Sequence, residues 1–130
     1  MSDEDLSPGH PVVLIADDEP AIRRLFSQVL STAGFEVVEA VDGEDALAKL
    51  ATIGVSLVLL DASMPRLDGL GVIRRLRADP ATARLPIILV TGSGEEANRA
   101  RALDLSVDAC LVKPIPINDL VASVRAHARR

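Results

Sequence analysis

The sequence has no tryptophan and no tyrosine, and its only aromatic residues are Phe26 and Phe35. The core must therefore be aliphatic, and a surface that stacks exposed nucleic-acid bases on aromatic rings is disfavoured. A single cysteine, Cys110, cannot form an internal disulfide and fits a reducing, cytoplasmic setting. No apolar run approaches the roughly 18 residues of a membrane helix, so no membrane association is expected. The acidic opening residues, Met1 to Pro11, contain no signal-peptide core; residues 1–10 are expected to form a flexible leader and 11–130 a single domain. Basic charge is in the minority, 14 Lys plus Arg against 19 Asp plus Glu, for a net charge of -5. That balance argues against phosphate-backbone binding by this domain alone. Phosphate-cradling glycine loops are missing too: Gly92 and Gly94 are too few, and the first strand is followed by Asp-Asp-Glu-Pro instead of glycines. His10 and His127 lie in the terminal segments and form no ligand pair or triad.

What the chain does have is 48% apolar residues in 130 positions, enough for one domain with a substantial buried core. The apolar residues come in short runs. Val12 to Ala16, Phe35 to Ala40, Val55 to Leu60, Ile87 to Val90 and Ala109 to Val112 read as strands. Between them lie helical stripes. Ile22, Leu25, Phe26, Val29, Leu30 and Ala33 form one, entered through Pro20 and stopped by Gly34. Asp42 or Gly43 opens a second, with Ala46, Leu47, Leu50 and Ala51 inward. A third runs from Gly69 to Ala78 and is broken by Asp79-Pro80. Glu95 to Leu105 carries only a thin apolar face, and a last helix starts near Asn118. Strands alternating with helices over short links predict an α/β fold, a doubly wound, mostly parallel five-stranded sheet with helices on both faces.

Ligands in such sheets bind beyond the carboxyl ends of the strands. Here those ends carry Asp17-Asp18, Asp61, Thr91 and Lys113. Each has a plain reading on its own. The acidic pair suits a helix N-terminus, Asp61 a loop cap, and Lys113 a solvated charge. Together they place three carboxylates, a hydroxyl and an ammonium on one sheet edge, a constellation for a divalent metal and a phosphoryl group. Magnesium prefers oxygen ligands and keeps several waters, so Asp17, Asp18 and Asp61 are its candidate ligands. Asp61, central among them, is the candidate nucleophile, because carboxylates form acyl phosphates. Thr91, Lys113 and the Gly92 amide would supply donors to phosphoryl oxygens.

The segments Ala16-Asp-Asp-Glu-Pro20, Leu60-Asp-Ala-Ser-Met-Pro-Arg-Leu-Asp-Gly69, Val90-Thr91 and Lys113-Pro114 resemble the receiver domain of bacterial two-component response regulators, over residues 11 to 125. The resemblance implies the flavodoxin-like strand order 2-1-3-4-5. It also implies that Asp61 accepts phosphate from a histidine kinase or histidine phosphotransfer protein, using Mg2+. Asp17 and Asp18 would serve the metal, with the Ser63 carbonyl as a further ligand. Thr91 would be the switch hydroxyl, Lys113 the phosphate-pairing cation, and Met64 and Pro65 would shape the loop after Asp61. The output surface would be built by residues 95–105, 109–112 and 118–129, acting on a downstream protein target as a monomer or a phosphorylation-dependent dimer.

Three departures from the pattern stand out. Cys110 occupies the position where receivers commonly carry a switch aromatic. Ser63 and Ser93 are small at positions that tune phosphate lifetime. Ala109 and Ser123 stand where winged-helix regulators place charged dimer contacts. The last departure weakens the reading as a transcription-factor dimer, and the link Leu76 to Pro86 resembles receivers of single-domain proteins, hybrid kinases and cyclase-linked regulators. With no linker or output sequence following, a single-domain receiver is the expectation, and an excised receiver of a DNA-binding, cyclase or kinase regulator the alternative. A phosphorylation-independent interaction domain would be expected to have lost Asp61, Lys113 or the acidic pair. An aspartyl phosphatase would be expected to carry an acid where Ser63 stands.

Overall fold

Short runs of Val, Ile and Leu become buried strands because both of their faces need covering, whereas the longer segments between them are apolar on one side only. The computed structural model describes residues 10–92, 94 and 106–128. The strands are β1 (Val12–Ala16), β2 (Glu36–Ala40), β3 (Leu57–Asp61), β4 (Ile87–Thr91) and β5 (Ala109–Val112). All pair in parallel, in the order β2-β1-β3-β4-β5, as the resemblance implied. The described helices are α1 (Pro20–Thr32), α2 (Gly43–Leu50), α3 (Gly69–Ala78) and α4 (Ile117–His127). The helix expected over Glu95 to Leu105 lies outside the described residues.

Alternate strand residues feed two cores. Val13, Ile15, Leu59 and Val90 pack with Phe26 and Leu30 of α1 and Leu120 and Val124 of α4. Leu14, Val58, Leu60 and Leu89 pack with Ala46 of α2 and Val72, Ile73 and Leu76 of α3. This is the period-two alternation of a strand serving both faces of a sheet. Cys110 joins the second of these cores as a partly buried neighbour.

Local chemistry fixes the helix ends. Asp42 caps α2 by accepting the Asp45 amide at 2.8 Å, and Asp68 caps α3 by accepting the Gly71 amide at 2.9 Å. Gly34 follows α1 with φ at 102°, a left-handed conformation that suits glycine. Asp79 is extended ahead of Pro80, which disfavours the helical region for the residue before it.

Three sequence expectations are corrected. Asp61 belongs to β3 and pairs with Val90, so the strand runs one residue further than its apolar run. Leu25 is 49% exposed, because the buried stripe of α1 is Arg23, Phe26 and Leu30, at spacings of three and four. Ala51 is exposed because α2 has already ended at Leu50.

The topology reverses at β1. From β1 the chain moves outward to β2, then returns past β1 to β3 and continues to β4 and β5. The connections leave in opposite directions there, opening a crevice at the carboxyl ends of β1 and β3.

Candidate functional site

Strand register delivers the polar residues to that crevice. Ala16 is paired with Leu60, so one step further along the ladder Asp17 stands level with Asp61. Asp61 is paired with Val90 and Thr91 with Val112, which sets Thr91 and Lys113 one step beyond. The Lys113 amide donates to the Thr91 carbonyl at 2.8 Å, carrying the β4–β5 pairing up to the lysine. The Lys113–Pro114 peptide bond is cis.

Asp17, Asp18 and Asp61 each place a carboxylate oxygen within 4.8 Å of the others. Asp17 and Asp61 are buried and Asp18 is exposed, so the cluster opens to solvent on one side. Lys113 Nζ stands among them, 3.6 Å from Asp17 Oδ2, 3.6 Å from Glu19 Oε1 and 3.8 Å from Asp61 Oδ1. Burial, and then the neighbouring charge of Asp17, push the Asp61 carboxyl up from 3.8 to about 6, while Lys113 pulls it down. One ammonium therefore does not balance the carboxylates it faces. Converging oxygen donors with an excess of negative charge can hold a hard cation.

Thr91 ends β4 fully buried. Ser63, two residues after Asp61, is exposed, and its amide lies 3.4 Å from Asp61 Oδ1. The structure thus brings Asp17, Asp18, Asp61 and Lys113 together, puts Thr91 on the adjoining strand, and holds Ser63 at the rim. Ser93 and the rest of the segment after Gly92 lie outside the described residues, apart from Gly94.

The loop after Asp61 is folded tightly against its surroundings. Arg66 has φ at 67° and the Leu67 amide donates to the Pro65 carbonyl at 2.8 Å, a turn of one residue. A Cβ on Gly69 would meet the Asp61 carbonyl oxygen at 2.5 Å, so the chain can return beneath Asp61 only with glycine. Arg66 forms an ion pair with Asp42. The Asp42 carboxyl is held below its usual range by the Asp45 amide and by Arg66.

Sequence reasoning missed Arg23. Its Nη1 donates to the Asp17 carbonyl at 2.8 Å and its Nε to Glu39 Oε1 at 3.0 Å, with the side chain 10% exposed. The signal was present: Arg23 sits three and seven residues before Phe26 and Leu30, on the face of α1 turned to the core.

Comparisons with known proteins agree with this fold. The response regulator receiver domain family matches residues 13–125. The probable transcriptional regulator ycf27 of Cyanophora paradoxa is 42% identical over 118 residues, which cover 91% of this chain and 48% of that protein. The DNA-binding dual master transcriptional regulator RpaA of Synechocystis sp. is 38% identical over 120 residues, covering 92% of this chain and 50% of that one. The chain spans about half the length of these curated relatives. Among solved structures, chemotaxis protein CheY4 of Vibrio cholerae superposes with a TM-score of 0.83 at 29% identity, covering 92% of this chain and 99% of its own. The response regulator protein TrrA of Thermotoga maritima, solved in complex with Mg2+-BeF, superposes with a TM-score of 0.80 at 31% identity, covering 89% and 97%. Sequence motifs, strand order and relatives converge, and the chain belongs to the response regulator receiver domain family.

Proposed function

We propose that this receiver is a phosphotransfer switch whose acceptor is Asp61. The observation that carries the reading is the convergence of Lys113 on Asp17 and Asp61, 3.6 and 3.8 Å away, within an acidic trio spanning 4.8 Å. Mg2+ would be held by Asp17, Asp18 and Asp61, with the Ser63 carbonyl added from the family resemblance, and would offset charge on the phosphoryl oxygens. The TrrA structure, a relative in complex with Mg2+-BeF, supports that choice of ion.

The chemistry follows from the arrangement. The donor is a phosphohistidine on a histidine kinase or histidine phosphotransfer protein. An Asp61 carboxylate oxygen attacks phosphorus, a P–O bond forms and the P–N bond breaks, and the departing imidazole nitrogen takes up a proton. Lys113 neutralises charge on the transferred group, and the Thr91 hydroxyl donates to one of its oxygens. Hydrolysis by water returns the Asp61 carboxylate and inorganic phosphate. Next to Lys113, Ile22, Leu25, Phe26, Pro114 and Ile115 line a recess that gives a donor protein apolar footing beside the acceptor.

Phosphorylation adds charge and strong acceptor oxygens at one point. Lys113 and Thr91 would rearrange towards them and bias the surface around β5 and α4, which a downstream protein then reads. The half-length match to transcriptional regulators favours a second reading of the output, in which this receiver governs a DNA-binding part of a longer protein. The family resemblance and the single cysteine of the chain support a cytoplasmic setting for the reaction.

The test is intact mass after incubation with Mg2+ and phosphoramidate or acetyl phosphate, with Asp61→Asn alongside. The expected outcome is one added phosphoryl group, absent without Mg2+ and absent in the variant. An unmodified wild-type protein at short times and low temperature would instead mark an interaction domain that works without phosphate.

A further inference from the structure

We propose that Arg23 is a positioning residue for the metal-binding acidic pair, acting through the backbone of Asp17. The inference rests on the Mg2+ reading above and adds a residue that reading does not use. Asp17 is held at four points. Its amide donates to the Ala40 carbonyl at 3.2 Å, continuing the β1–β2 ladder one residue past the strand. Its carbonyl accepts Arg23 Nη1 at 2.8 Å. Its Oδ1 accepts the Glu19 amide at 2.9 Å, and its Oδ2 faces Lys113 at 3.6 Å.

The Arg23 contact matters because of where it falls. The Asp17–Asp18 peptide joins the two acidic side chains, and its carbonyl end is gripped by the guanidinium. Rotating that peptide would swing Asp18 relative to Asp17 and Asp61. At the start of α1 the Glu19 amide holds the Asp17 side chain, and Pro20 has no amide to offer, which leaves the Asp17 carbonyl to Arg23. The turn that presents the acidic pair is thus fixed from below, by a side chain of the helix that follows it.

Arg23 is itself fixed. Its Nε donates to Glu39 of β2. The Glu39 carbonyl accepts Lys49 Nζ at 2.6 Å, and Lys49 pairs with Asp45 at 3.1 Å in α2. A guanidinium so little exposed is costly unless its charge and donors are matched. Its planar fork serves a carbonyl and a carboxylate together, which the single ammonium of lysine does not reproduce. Groups that orient metal ligands from behind commonly change metal affinity by about 10- to 100-fold when removed.

Electrostatics and positioning predict opposite signs, which makes the proposal testable. Arg23 is a cation near carboxylates, so as a mere charge its removal would strengthen Mg2+ binding. As a positioning residue its removal weakens it. The experiment measures Mg2+ affinity calorimetrically, without phosphodonor, for wild type, Arg23→Met, Arg23→Lys and Glu39→Ala. Amide nitrogen and proton shifts of Asp18 and Glu19 are recorded before metal is added. The expected result is an affinity about tenfold lower in Arg23→Met and in Arg23→Lys, which keeps the charge. Both should show displaced Asp18 and Glu19 amide signals. Glu39→Ala keeps Arg23 and its bond to the Asp17 carbonyl and removes only the carboxylate anchor at a half-exposed position, so it should show a smaller loss in the same direction. Equal or tighter Mg2+ binding in Arg23→Met and Arg23→Lys, or in Glu39→Ala should the Arg23 variants unfold, overturns the proposal while leaving the phosphotransfer reading intact. A wild type that binds no Mg2+ overturns both.

Discussion

Gly69 lies against Asp61 so closely that a side-chain carbon on it would stand 2.5 Å from the Asp61 carbonyl oxygen and 2.8 Å from Ala62 Cα. The Gly69 amide also donates to the Ala62 carbonyl at 3.0 Å, closing the loop on the backbone beside the acceptor. Neither contact can relax through a flexible side chain, since both atoms are backbone. Gly69→Ala is expected to destabilise the protein by about 2 to 3 kcal/mol, in the range of overpacked cores. It should also weaken Mg2+ binding. Chemical denaturation followed by far-ultraviolet circular dichroism measures the first effect; wild-type stability in the variant would remove the close approach as a constraint.

Asp61 makes stability depend on pH in a direction opposite to most carboxylates. Its pKa is raised to about 6 in the folded state from 3.8. The folded protein therefore binds a proton that the unfolded chain has lost, and stability falls as pH rises between about 4 and 6. The full effect is on the order of 3 kcal/mol, retained as a deficit above pH 6. Asp61→Asn removes it, so the variant should be more stable than wild type at pH 7.5 and lose most of that advantage at pH 4. Asp42, whose carboxyl is lowered, acts in the opposite sense: its contribution is present above its ordinary pKa and fades only at lower pH. Urea titrations at pH 4, 5, 6 and 7.5 separate the two.

Cation binding should relieve the same strain. In wild type at neutral pH, Mg2+ at about a hundred times its dissociation constant is expected to add about 2.7 kcal/mol of stability. Asp17→Asn, which removes a buried member of the trio, should abolish most of that gain. Lys113→Met leaves the acidic cluster without its ammonium, so the metal-free variant should be less stable than wild type, and its gain from Mg2+ larger. Thermal scans with Mg2+ or with chelator report both, and equal gains in all three proteins would argue against a shared cation site.

Arg77 ties down the end of the sheet opposite the site. Its Nη1 donates to the Ala83 and Leu85 carbonyls at 3.0 and 2.7 Å, and its Nη2 to the Ser106 carbonyl at 2.7 Å. Asp108, 3.5 Å away, accepts the Ile87 amide and joins the same knot. Burial pushes the Arg77 guanidinium down and Asp108 draws it back up. Arg77→Ala is expected to cost about 2 to 3 kcal/mol, because several carbonyls lose their donor at once. The site lies at the other end of the strands, so Mg2+ affinity should change less than twofold by calorimetry.

The succession of strands and helices, several helix ends and the gathering of candidate acidic and basic residues at strand ends were legible in the sequence, because each depends on neighbours a few positions away. Val12 to Ala16 has to be buried on both faces, Gly34 has to end a helix, and a polar residue following an apolar run has to emerge at a strand end. Tertiary structure decided what depends on relations between distant segments. The pairing of Ala16 with Leu60 sets Asp17 beside Asp61, and no local pattern encodes that register. The exposure of Leu25 and the burial of Arg23 depend on how α1 is rotated against β1 and β2, which a helical stripe of six apolar residues leaves open by about one position. The raised pKa of Asp61 is likewise a tertiary property, since burial and the charge of Asp17, 44 positions earlier, act on it only once β1 and β3 are paired.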